Sequence, residues 1–241
     1  MTEQPIRREA VSDQLFTLLR DRILSGVFAA GAPLTAERDL AAEFSVNRHA
    51  VREAVKRLQQ ARLVEVSHGG RTKILDWRRT AGLDLAVQLA STRVPASHDL
   101  RRDVLEMRTS IGADAARLCA ARCSREAATA IVTAASDYLG RGPDLAELGV
   151  ADVAWWRLIV EGSGNIAYLL AFNTLVDGSL VAGEVPTEQR AAELLDVEGH
   201  MRLAALIASR DEHGAERAAR SLLTRSVPVM PVAPDYEGGP T

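Results

Sequence analysis

Apolar residues return every three or four positions in three short runs of the first sixty residues, then give way to alternation. Val11, Leu15, Leu18, Leu19 and Ile23 define a first amphipathic helix over about Glu9 to Ser25, which Gly26 stops. Leu40 and Phe44 define a second, and Val51, Ala54, Val55 and Leu58 a third. Ser45 and Val46 leave room only for a turn between them, and the Asn47 side chain can cap the third helix at its N-terminus. Leu63–Ser67 and Thr72–Leu75 have strand character, and His68, Gly69, Gly70 and Arg71 join them as a hairpin. Helix, turn, helix and hairpin in this order suit a winged helix-turn-helix.

Residues 77–98 read as a connector: Trp77, Arg78 and Arg79 follow the hairpin, Gly82–Ala90 forms a short helix, and the stretch holding Pro95 breaks it. From Asp99 the pattern is helical in six segments, 99–122, 124–140, 144–162, 165–183, 187–210 and 212–226, which pack most simply as an antiparallel bundle. Val227–Thr241 lacks periodicity and holds several Pro and Gly residues, as a disordered tail does. The predicted fold class is therefore mainly α. A winged helix-turn-helix domain (1–76), the connector, an all-α domain (99–226) and a tail (227–241) follow one another.

Charge sharpens this picture. The 241 residues carry a net charge of −3, yet residues 38–73 hold eight Lys and Arg against four carboxylates. A solvated face is the commonplace explanation for such a run, but the local excess favours a surface for duplex DNA. Arg48, His49, Arg52 and Lys56 share the face of the third helix opposite its apolar stripe. Arg48 and Arg52 are placed to meet paired acceptors on guanine in a major groove. A hairpin tip can reach a neighbouring minor groove.

In the helical domain three ionisable residues interrupt apolar stripes: Arg108 among Val104, Ile111 and Ala115, Asp152 ahead of Trp156 and Ile159, and His200 among Val197, Leu203 and Ile207. All three should face the bundle interior, where isolated charge is costly, so they imply mutual ion pairing or a shared polar cavity. The cavity reading makes Arg108, Asp152, Trp155, Trp156 and His200 candidate effector-binding residues. The Trp pair would offer apolar surface, or else simple core packing, and Arg108 a partner for an acyl, carboxylate or phosphate oxygen. Cys119 and Cys123, the only cysteines, lie four apart among alanines and read as reduced core residues.

The pattern Leu34, Glu37-Arg38, Leu40-Ala41, Val46, Arg48, Val51-Arg52-Glu53-Ala54, Leu58, Leu63-Val64 and Gly69 resembles the winged helix-turn-helix of the GntR family of bacterial transcription regulators. The region after about Gly82 is similar to its FadR-like subfamily, with an FCD-type effector domain. The resemblance implies DNA contacts from Arg38 and Asn47, from Arg48, His49 and Arg52 on the recognition helix, and from His68 and Gly69 at the wing tip. It also implies a homodimer on a palindromic double-stranded operator, released by a small-molecule effector, as a repressor would be. In many relatives the bundle holds a metal bound by one Asp and three His. Here position 156 is Trp and position 222 is Leu where two of those His belong, so one Asp and one His leave a divalent metal short of ligands, and no tightly bound metal is expected. Metal-ligand loss is also seen in a fatty-acid-responsive member of the subfamily, which the wing residues 67–73 and the segment Thr80–Leu85 resemble too; this implies a fatty acyl-CoA effector, with a small carboxylate as the alternative.

Composition, 47% hydrophobic and 25% charged, suits globular domains, and no apolar run reaches the roughly 18 residues of a membrane helix. No apolar leader is visible at the N-terminus, so a cytoplasmic location with no membrane partner is expected. An α-helical metal-dependent enzyme with a winged-helix interaction module is the reading from another class. It lacks a visible ligand set, nucleophile or phosphate loop.

Overall fold

The computed structural model describes residues 11–66, 71–90, 97–176 and 187–228, and the chain divides into two compact units at Leu100/Arg101. In the first unit, α1 (Val11–Leu24) buries Leu15, Phe16, Leu19 and Ile23 against α3 (Arg48–Gln60), whose inner face is Val51, Ala54, Val55 and Leu58. Burying an aliphatic or Phe side chain contributes about 1.5–3 kcal/mol, so this seam dominates the unit. Arg57 reinforces it. Its guanidinium pairs with Asp13 and lies 4.2 Å from the Phe16 ring centroid.

α2 (Glu37–Glu43) precedes the turn, where Ser45 adopts φ 53°. Asn47 then caps α3, its side chain accepting from Ala50 N at 2.8 Å. β1 (Val64–Val66) pairs antiparallel with β2 (Thr72–Ile74), with Val64 opposite Ile74 and Val66 opposite Thr72. The other edge of β2 is also occupied. Leu34 N donates to Thr72 O at 2.8 Å, Ile74 N donates to Ala32 O at 2.9 Å, and Pro33 bridges Lys73. Sequence pattern did not reveal this third strand-like segment, because Pro33 and Gly31 mask it.

α4 (Trp77–Thr80) and α5 (Leu83–Ala90) follow. Leu85 is buried in the same core as α1 and α3, and Trp77 and Ala81 pack on it. The front of the connector is thus part of the first unit.

The second unit is built from helices: α6 (Ser97–Arg122), α7 (Arg125–Leu139), α8 (Leu145–Gly162), α9 (Ile166–Leu175), a 3-10 turn (Thr187–Arg190) running into α10 (Ala191–Leu194), α11 (Val197–Ala208) and α12 (Glu212–Thr224). The span 187–210, expected as one helix, is broken at Leu195 and Asp196. The cause is local: Asp196 caps α11, accepting from Gly199 N at 3.0 Å. Ile131, Trp155, Ile159, Leu203, Ile207 and Leu222 form the core. Cys119 and Cys123 are free and buried in it, and burial pushes the Cys119 thiol up. Gly162 lets α8 reach them, since a Cβ there would sit 2.7 Å from Cys119 Sγ.

No helix among the described residues is long and apolar enough to cross a membrane.

Candidate functional site

Two surfaces matter, one in each unit. In the first, the inward face of α3 is fully used by the core, which leaves Arg48, His49, Arg52 and Lys56 exposed along the other side. Arg52 Nε donates to Glu37 Oε2 at 2.9 Å, so α2 holds this side chain along the exposed face. Arg38 is exposed beside Asp39, its Nε 3.2 Å from Asp39 Oδ1. The Asn47 carbonyl oxygen is committed to the cap, leaving its NH₂ as the group able to donate elsewhere. Arg57, one of the cations of the basic run, lies instead over the Phe16 ring and pairs with Asp13 at the surface. His68 and Gly69 lie outside the described residues.

In the second unit the three interrupting residues meet. His200 Nε2 lies 3.2 Å from Asp152 Oδ1, and Arg108 Nη2 lies 3.4 Å from Asp152 Oδ2. Two further residues complete the cluster. Arg190 pairs with Asp152 and, at 3.1 Å, with Glu193. Glu193 takes both Nη groups of Arg108, at 2.5 and 2.8 Å, and accepts from the Ser226 hydroxyl. Asp152 and Glu193 are 0% exposed and Arg190 2%, so each carboxylate is neutralised wholly by protein groups.

Neither Arg190 nor Glu193 stood out in sequence, because the charged run Thr187–Glu193 resembles a solvated helix. The i,i+3 spacing of the two was the available signal.

The electrostatics follow from this packing. Burial pushes the Asp152 carboxyl up, but the Arg190 charge, the His200 hydrogen bond and the Arg108 charge together hold it well below the carboxylate range. Burial lowers His200, whereas the hydrogen bond and charge of Asp152 and the Asp196 carbonyl raise it to a net value above its ordinary one. The hydrogen bonding agrees. His200 Nδ1 faces Asp196 O at 2.8 Å and Nε2 faces Asp152, and both partners only accept, so an imidazolium satisfies both. Tyr138 stacks on the ring at 4.5 Å, and its hydroxyl donates to Leu194 O at 2.6 Å, tying α7 to α10.

Trp155 Nε1 donates to Ile131 O at 3.1 Å, and its ring packs 4.8 Å from His200. That places Trp155 behind the cluster as a support rather than on a ligand surface. Trp156 instead lines a small apolar pocket of about 20 Å³ with Gly112, Val160, Phe172 and Leu175, and Arg108 closes its polar end. Asp152 and His200 do not line it.

A metal of the kind implied by one Asp and three His does not fit here. Among the described residues no three His, Cys, Asp or Glu side chains group as ligands. Trp156 and Leu222 bring no donor, and the Arg190 guanidinium sits on Asp152 and Glu193, the oxygens a cation would use.

A helix with an exposed basic face beside a hairpin, followed by a helical domain with a buried polar site, is the arrangement of a DNA-binding transcription regulator. The family models agree: "Bacterial regulatory proteins, gntR family" matches residues 11–74 and "FCD domain" matches residues 103–225. The chain belongs to the GntR family and carries an FCD domain; it is a regulator, not an enzyme. It is 33% identical over 227 residues to the HTH-type transcriptional regulator Mce2R of Mycobacterium tuberculosis, covering 92% of each chain. It is 29% identical to the Fatty acid metabolism regulator protein of Escherichia fergusonii, over 64% of this chain and 62% of that one. Among solved structures it resembles Lar of Listeria monocytogenes in fold, with TM-score 0.50 and 17% identity over 92% of this chain and 96% of the other.

Proposed function

We propose that this regulator binds a palindromic operator as a homodimer, with Arg48, His49 and Arg52 toward the major groove, and that an anionic effector in the helical domain releases it. Arg108 carries the reading. Among the described residues it is the one charged residue lining an otherwise apolar pocket, and a guanidinium beside apolar walls suits a ligand with a charged head and an apolar body. A fatty acyl-CoA fits that polarity, and the family-level likeness to a fatty acid metabolism regulator supports it. A pocket of about 20 Å³ holds no acyl chain as it stands, which favours a second reading, a small carboxylate that enters by displacing a side chain. Two heads related by a two-fold axis would present their α3 helices about 34–36 Å apart, one DNA turn. The effector would act by binding the DNA-free form more tightly, transmitting the difference through the connector around Trp77–Ala90.

Native mass spectrometry of the purified chain, followed by operator titration with the ligand found, tests this. A dimer carrying an acyl-CoA or carboxylate that weakens operator binding is expected. Equal effector affinity of free and DNA-bound protein would remove the coupling.

A further inference from the structure

Glu193 is held as a bound ligand would be held. Its carboxylate accepts from both Arg108 Nη groups, from Arg190 and from Ser226, four donors around one fully buried group. It belongs to the segment 187–194, a 3-10 turn and a single helical turn, rather than to one of the long helices that build the core. Arg108, its main partner, keeps 11% of its side chain exposed and lines the apolar pocket, while both its Nη groups are taken by Glu193 and Asp152.

We infer that Glu193 is an internal stand-in for a carboxylate ligand: Arg108 is a carboxylate-binding site occupied from within, and an external carboxylate enters by exchange with Glu193. This rests on the effector reading above and specifies how that site is reached.

Space supports exchange over addition. The pocket beside Arg108 has about 20 Å³, room for about one water, so a second carboxylate does not fit while Glu193 stays. Charge supports it too. Exchange conserves charge: an entering carboxylate takes over the pairing of Arg108 that the Glu193 carboxylate gives up. Two hydrogen-bond donors at the site, Arg190 Nε and Trp156 Nε1, are buried with no protein partner among the described residues, whereas most such groups in folded proteins are bonded. Finally, exchange would release more than one side chain. Arg190, the Tyr138 hydroxyl contact at Leu194 and the Ser226 bond all involve the same short segment or its partners, so ligand entry would loosen residues 188–194 as a unit.

The test uses full-length protein, butyrate as the probe and uncharged butyramide as its control. In the wild type, affinity is reduced by the small fraction of molecules whose Glu193 is away from Arg108. Glu193→Gln keeps the shape and removes the competing charge. Calorimetric titration should show butyrate binding to Glu193→Gln at least about tenfold tighter than to wild type, with butyramide bound by neither. In the wild type, saturating butyrate should speed backbone amide exchange over residues 188–194. Equal or weaker butyrate binding by folded Glu193→Gln, equal binding of butyramide, or no binding to either protein overturns the exchange. If the variant does not fold, the wild-type amide exchange decides alone: unchanged protection at 188–194 with butyrate overturns it. Operator binding is read separately. Butyrate exchange with no effect on operator affinity leaves the site and sinks the switch, whereas operator release by an effector that leaves 188–194 protected does the reverse.

Discussion

Asp152→Asn is the sharpest probe of the buried cluster. The substitution preserves size and removes one negative charge from a site where Arg190, Arg108 and His200 all converge on that carboxylate. Because Asp152 is fully buried, solvent does not screen the loss. Breaking a buried ion pair by removing one partner costs about 3–5 kcal/mol. Glu193 still pairs both arginines, which puts the expectation at the lower end, about 3 kcal/mol, or roughly a 6–12 °C fall in Tm for a chain of this size.

The pH dependence is more specific still. His200 is raised above its ordinary value in the folded protein, so its contribution is fully present below about pH 6.5 and is lost as pH rises through the folded value. Asp152 is depressed, so its contribution is present above about pH 4 and fades only under stronger acid. Wild-type stability should therefore decline as pH rises above about 6.5, and Asp152→Asn should flatten that decline, because it removes the largest contributions raising His200. Denaturant unfolding at pH 5.5, 7 and 8.5 measures both effects. A variant within about 0.5 kcal/mol of wild type, the range of ordinary surface substitutions, or one with an unchanged alkaline slope, would refute the assignment.

Other outcomes follow from the geometry. Arg48→Ala and Arg52→Ala should each cost about 1–3 kcal/mol of operator binding and relax base preference, whereas Lys56→Ala should mainly lower the salt slope by about one; a footprint unaltered by either Arg change would exclude α3 as the reading helix. Tyr138→Phe removes the hydroxyl bond to Leu194 O and leaves that carbonyl unpaired, so thermal unfolding should report a loss of about 1–3 kcal/mol, while operator affinity stays unchanged. Gly162→Ala forces a methyl against Cys119 Sγ and Cys123 Cβ and should cost about 1–3 kcal/mol by denaturant titration, with partial recovery in a Cys119→Ala background.

The reading head was largely legible from sequence because its determinants are local. The Asn47 cap, the Val51–Val55–Leu58 stripe and the β1–β2 pairing all lie within one short stretch of chain. Arg108, Asp152 and His200 were legible for another reason: a charge inside an apolar stripe contradicts the helix period, and the structure places all three in one cluster. Arg190 and Glu193 gave no such contradiction. The segment that carries them is too short to show a period, and only its folding onto Arg108 and Asp152, 38 to 85 residues away in the chain, makes them interior. The break at Asp196 was missed because the cap signal is submerged in a longer helical pattern. Pro33 and Ala32, which complete the sheet beside β2, were hidden by their poor strand character.

The four-way pairing of Arg108, Asp152, Arg190 and Glu193 also limits how this site can evolve. Losing any one member strands a buried charge, whereas replacing matched members together can be neutral or stabilising. The four positions should accordingly be inherited as a block. Lineages that exchange one sensed chemical for another would cross by concerted changes, and descendants with a different effector should differ at several of these positions at once.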